Sequence, residues 1–291
     1  MAESAAPRRR SVQCASPRGL HRMAYREWGD ARNRDVLVCV HGLTRVGRDF
    51  DALAQALCGH FRVLCPDVAG RGDSDRLADP SLYALPQYVS DMVTLIARLD
   101  VEKVSWLGTS MGGLIGMALA AQAGTPIQRL AVNDIGAVVA KEALQRIGDY
   151  VGRTPAFASL EEATQYLRTV QAPFGPHTDD EWRFLTEIYV RKNDDGSYRV
   201  HYDPRIGDTF RAAPLDKDLE LWPVYDAIRC PMLVIRGARS DLLRKDTADE
   251  MARRGPRARV MEIAGVGHAP TLMHADQIAI VRDFLLEGAQ T

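Results

Sequence analysis

No apolar run in this chain approaches the ~18 residues that a membrane-spanning helix needs. An excess of charge of one sign is missing too: the net charge is −1 over 291 residues, with acidic and basic side chains interspersed. That balance argues against nucleic acid or an anionic membrane surface as partner. The five cysteines, Cys14, Cys39, Cys58, Cys65 and Cys230, show none of the close spacings of metal ligands or redox pairs. Cys39, Cys65 and Cys230 lie in or beside apolar runs and read as buried free thiols. An odd number without a disulfide framework points to a reducing compartment, the cytoplasm. The polar start ends in Arg8-Arg9-Arg10, and mixed, charged sequence follows. A secretory signal is therefore not expected, and residues 1–18 read as a disordered lead-in. There is no internal repeat and no low-complexity segment.

What the chain does contain is an alternation of short apolar runs and helical patterns. Residues 36–40, 61–65, 104–107, 130–132, 232–235 and 259–263 are continuous apolar strands rather than alternating ones. Helical patterns at 49–57, 85–99, 111–123, 247–254 and 276–286 separate them. This rhythm predicts an α/β fold, with a mostly parallel sheet covered by helices on both faces. The rhythm breaks between 137 and 225, where helical patterns at 141–151, 160–170 and 179–191 predominate and 198–202 alternates like a short edge strand. That stretch reads as a helical insertion over the strand ends. The expected organisation is a core of residues 19–136 and 226–291 and an inserted segment of residues 137–225.

Gly108-Thr109-Ser110-Met111-Gly112 sits between a strand and a helix of small residues. In that context G-x-S-x-G holds a serine in a strained turn above the sheet edge, at a helix N-terminus. Ser110 is the candidate nucleophile. A serine hydroxyl needs a base to take its proton. Of the seven histidines, His268 lies in a Gly-Val-Gly-His-Ala-Pro loop between the last strand and the last helix, where it can meet Ser110. A carboxylate must then orient the imidazole. Asp241, in the loop after strand 232–235, is the preferred acid, and Asp134, just after strand 130–132, is its rival. For an oxyanion, the backbone N–H groups of Met111 and Leu43 are the candidates, with Gly42 permitting the turn that aims Leu43 inward and His41 in a structural role.

These pieces resemble the α/β-hydrolase fold superfamily from about residue 20 to 288. The matching residues are His41-Gly42, the loop from Asp67 to Ser74, Gly108 to Gly113, Asp241 and Gly267-His268. The resemblance implies a serine hydrolase with a helical cap after the sixth core strand, acting on a small or medium carboxylic ester, with no cofactor and no metal. Dehalogenases and epoxide hydrolases of this fold carry aspartate where Ser110 stands, which argues against both. A carbon–carbon bond hydrolase or lactonase of aromatic degradation is the alternative, and a ligand-binding receptor on the same fold a further one. Arg45 is a candidate clamp for a substrate carboxylate, against a salt bridge to an acid such as Glu142. Trp182 is a candidate pocket residue among the aromatics of the insertion.

Overall fold

All five residues of Val36–Val40 are completely buried. That requires neighbours on both sides of the strand and cover on both faces. The computed structural model, which describes residues 6–212 and 216–287, supplies both. The eight strands of the main sheet are β1 (Arg8–Ser16), β2 (Gly19–Trp28), β3 (Val36–Val40), β4 (Arg62–Pro66), β5 (Val104–Thr109), β6 (Ile127–Asn133), β7 (Met232–Gly237) and β8 (Arg259–Ile263). Their spatial order is β1-β2-β4-β3-β5-β6-β7-β8. The β1–β2 and β2–β4 pairs are antiparallel, and the rest of the sheet is parallel. From β3 the chain steps to β4, returns past β3 to β5, and then advances the other way. The order reverses between β3 and β5, so the loops leaving their carboxyl ends diverge and open a crevice.

Alternate strand residues feed two cores. Leu37, Cys39, Leu107, Leu233 and Ile235 pack with α1 (Asp51–Leu57) and α10 (Ala275–Leu286). Val36, Val38, Val40, Trp106 and Val132 pack with α2 (Leu85–Ala97), α3 (Met111–Ala120) and α9 (Lys245–Met251). Among the described residues, no helix is long and apolar enough to cross a membrane.

Residues 8–16, expected in a disordered lead-in, instead form β1. Val12 and Cys14 point inward at 7% and 1% exposure while Ser11 and Gln13 face out. This is the period of two that a half-buried strand requires. Residues 1–5 of the expected lead-in lie outside the described residues.

Between β6 and β7 the chain forms α4 (Lys141–Tyr150), α5 (Leu160–Val170), α6 (Asp179–Tyr189), α7 (Ile206–Ala212) and α8 (Trp222–Ala227). Tyr198–Val200, expected at an edge, is the middle strand of a small antiparallel sheet between Ala156–Phe157 and Val190–Lys192. The segment leaves and returns at one place: Val138–Val139 pairs with Leu219–Glu220, and Leu221 N–H donates to Ala137 C=O at 2.7 Å.

Candidate active site

The end of β5 and the start of α3 form a turn that only glycines permit. A Cβ on Gly108 would lie 2.1 Å from the Gly112 carbonyl oxygen, and one on Gly112 would lie 2.0 Å from that of Val40. With both absent, the helix starts hard against the sheet and Ser110 takes the bend at φ 51° and ψ −114°. Such a backbone stores on the order of 1–3 kcal/mol in a non-glycine residue, so its surroundings must hold it. They do so with Ser110 N–H donating to Asn133 C=O at 2.9 Å, and with Gly113 and Leu114 N–H donating to Ser110 C=O at 2.9 and 3.1 Å. The buried Asn133 amide also donates to Thr109 Oγ1 (3.0 Å) and Pro270 C=O (2.7 Å). It thereby ties the turn to the loop that carries His268.

That loop is drawn close by two further glycines. A Cβ on Gly237 would lie 2.2 Å from the Gly267 carbonyl oxygen, and Gly267 N–H donates to Pro173 C=O at 2.6 Å. His268 Nε2 consequently sits 3.0 Å from Ser110 Oγ, and Nδ1 sits 2.7 Å from Asp134 Oδ2. Asp134 is fully buried. It also accepts from Gly237 N–H (2.8 Å) and Ser240 Oγ (2.6 Å). A carboxylate only accepts, so the proton between it and the imidazole resides on Nδ1. Nε2 is then left with its lone pair facing the serine hydroxyl.

The carboxylate beside His268 is Asp134, not the expected Asp241. Asp241 does not reach His268. Its side chain is 54% exposed and forms a two-bond pair with Arg146 of α4 at 2.8 and 3.0 Å. Ser240, its neighbour, turns inward and donates to Asp134. The order serine, acid, histidine along the chain is unchanged, because Asp134 also lies between Ser110 and His268.

Facing Ser110 from β3 is the His41–Arg45 loop. His41 is completely buried; its Nε2 accepts from Val68 N–H at 2.9 Å, and its Nδ1 lies 2.7 Å from Gly42 C=O. A nitrogen that accepts a backbone N–H is unprotonated, so Nδ1 carries the proton and donates to Gly42. Arg45 N–H donates to the same carbonyl at 3.2 Å. In a trans peptide the N–H points opposite to the C=O. Fixing the Gly42 carbonyl therefore aims the Leu43 N–H the other way. Neither Leu43 N–H nor Met111 N–H donates to any group among the described residues. Arg71, buried at 1% exposure, braces both: it donates to Leu43 C=O at 2.8 Å and reaches Met111 Sδ at 3.6 Å. Sequence reasoning missed Arg71, Asn133 and Ser240. The Gly-Arg-Gly context of Arg71 is the available signal.

Burial pushes the His41 imidazole down to about 3, with the Gly42 hydrogen bond opposing and Arg71 and Arg45 assisting. In the unfolded chain the ring takes its proton near 6.5. The stability gained by keeping it neutral is therefore complete above pH 6.5 and is lost progressively as the pH falls toward 3. The ring ¹⁵N shifts of His41 are expected to keep the neutral, Nδ1-protonated pattern from about pH 8 to about pH 5. A titration near 6.5 would mean that the loop is solvated.

The crevice above Ser110 has a cavity volume of about 100 Å³ and is walled by Ile147, Tyr150, Tyr166, Phe174 and Tyr189 from the inserted segment. Arg45 lines it with its guanidinium already paired. It pairs with Asp49 at 2.7 Å, donates to Gln171 Oε1 at 3.2 Å and lies over the Phe174 and Tyr189 rings. Glu142 pairs instead with Arg244 at 3.7 Å. Trp182 is not in the wall. It is buried in the insertion, with its ring edge-on to His177 at 5.3 Å and Arg168 over its face.

The chain matches the model of the α/β-hydrolase fold over residues 35–275. It is 52% identical over 288 residues to a 3-hydroxybutyrate-oligomer hydrolase of Cupriavidus necator, covering 97% of this chain and 98% of that one. It is 29% identical to the esterase YbfF of Escherichia coli, over 81% of this chain and 87% of that protein. Among solved structures, an α/β hydrolase from Novosphingobium aromaticivorans is similar at a TM-score of 0.87 and 35% identity, covering 97% and 98% of the two chains.

Proposed function

We propose, from the premise that this chain belongs to the α/β-hydrolase fold family and is a hydrolase of ester bonds, that it cleaves short esters of hydroxy acids through an acyl-enzyme on Ser110. The observation that carries the mechanism is the unbroken chain Ser110 Oγ, His268, Asp134 at the floor of the crevice. In this reading Ser110 Oγ attacks the ester carbonyl while His268 Nε2 takes its proton, and the buried Asp134 carboxylate stabilises the imidazolium. The carbonyl oxygen, now negative, sits between the Leu43 and Met111 N–H groups. Each donor of that kind is worth roughly 10²–10³-fold in rate. His268 returns the proton to the departing alkoxide, and water then repeats the sequence in reverse on the acyl-serine. The inserted segment acts as a cap whose aromatic wall bounds the acyl and alcohol sites. No metal or organic cofactor takes part in these steps.

The substrate reading rests on the 52% identity to the oligomer hydrolase along essentially the full length of both chains. A linear oligomer of a hydroxy acid also bears a free carboxylate at one end. Arg146, 45% exposed at the rim of the crevice, is the group placed to receive it in exchange for Asp241. Arg45, held by Asp49 and Gln171, is not free to act as the clamp that the carbon–carbon bond reading needs. Five free thiols fit a cytoplasmic setting.

Incubation with the dimer and trimer of 3-hydroxybutyrate, with monomer release followed by chromatography, tests the reading. Many turnovers per enzyme are expected, with kcat/KM above that for p-nitrophenyl acetate. Turnover of the nitrophenyl ester with none of the oligomers would overturn the substrate class. A single stoichiometric acylation without turnover would instead favour a receptor.

A further inference from the structure

Outside the crevice, the described residues include a cluster of chemistry-bearing side chains. His177, Glu181 and His274 meet where the start of α6 touches the loop before α10, and one donor atom from each lies within 4.8 Å of the other two. Glu181 Oε1 is 3.2 Å from His274 Nε2, and Glu181 Oε2 is 3.6 Å from His177 Nδ1. The local sequence builds this arrangement. Thr178 caps α6, and Glu181 returns its carboxylate to the Thr178 N–H at 2.7 Å, which fixes the carboxylate over the helix start beside His177.

A second observation is independent of the clustering. The His177 side chain is 1% exposed, yet neither ring nitrogen has a hydrogen-bond partner. Buried polar atoms nearly always find one, and an exception calls for a missing partner. The ring is held in place edge-on to Trp182 at 5.3 Å and beside the His274 ring at 5.1 Å.

The geometry points to a binding site for a divalent transition-metal ion, Zn²⁺ in particular, held by His177, Glu181 and His274. Two imidazoles and a carboxylate suit Zn²⁺, whereas Mg²⁺ and Ca²⁺ prefer oxygen alone. Zinc bonds of ~2.0–2.1 Å in a tetrahedral set place ligand atoms roughly 3.3 Å apart. Each Glu181 carboxylate oxygen lies close to that spacing from one of the two imidazoles. His274, whose side chain is 32% exposed, would turn to close the third side. A fourth position stays open to water. The ion would not enter the ester chemistry. It would strap α6 of the inserted segment to the loop that descends from His268, adding to the Gly267–Pro173 hydrogen bond already there.

The test is titration of chelator-treated, tag-free full-length protein with ZnCl₂, read by calorimetry and by Tm. One ion per chain and a rise in Tm of several degrees are expected. His274→Gln leaves an exposed amide, and Glu181→Gln keeps an acceptor for the cap, so both variants retain the fold. Each should weaken Zn²⁺ binding by at least the roughly 10- to 100-fold seen when even outer partners of a metal site are changed. Absence of binding to the parent protein, or equal affinity in both variants, would overturn the site.

Discussion

Asp134→Asn is expected to lower kcat on a small neutral ester by about 10⁴-fold at neutral pH, with KM little changed. An asparagine there keeps an oxygen for the Gly237 N–H but turns an NH₂ toward His268 Nδ1. The imidazole must then accept at Nδ1 and carry its proton on Nε2, facing Ser110, where it cannot act as a base. Asp241→Asn, by contrast, should leave kcat within about threefold, because it only removes an exposed ion pair with Arg146. Steady-state kinetics of both variants on p-nitrophenyl acetate decide the matter. The reverse pattern would return the role to Asp241.

Ser110→Ala is expected to lose on the order of 10⁵–10⁶-fold in kcat, retaining only the acceleration that binding and the oxyanion donors supply. The fold should survive. Alanine meets the same backbone strain at φ 51°, and the glycines and hydrogen bonds that hold the turn do not involve the hydroxyl. An unchanged Tm with lost turnover is the expected pair of results. Mass spectrometry of rapidly quenched reactions should find an acylated species in the parent protein and none in the variant. An acyl adduct persisting in Ser110→Ala would place the nucleophile elsewhere.

The meeting of Ser110 and His268 was legible because each is placed by its own short loop at the end of its own strand. The choice of acid was not. Asp134 and Asp241 both follow strands of the sheet, β6 and β7, and pattern alone does not choose between them. What separates them is which of two adjacent residues turns inward after Gly237, and it is Ser240. Arg45 shows a missed local signal, since Asp49 stands four residues on and the pairing was written in the sequence. The inward alternation of Val12 and Cys14 was likewise present in the polar start, but basic neighbours masked it. Trp182 was beyond reach. Helical periodicity says that one face is buried, not whether that face meets a crevice or another helix of the insertion.

The rung between Val138–Val139 and Leu219–Glu220 has an evolutionary consequence. A segment whose two ends are stitched together behaves as a cassette: it can be lengthened, shortened or exchanged without moving the strands on either side. Asp134 lies on the chassis side of that stitch, as do Ser110 and His268. Exchange at the rung would change the wall of the crevice while Ser110, His268 and Asp134 keep their places.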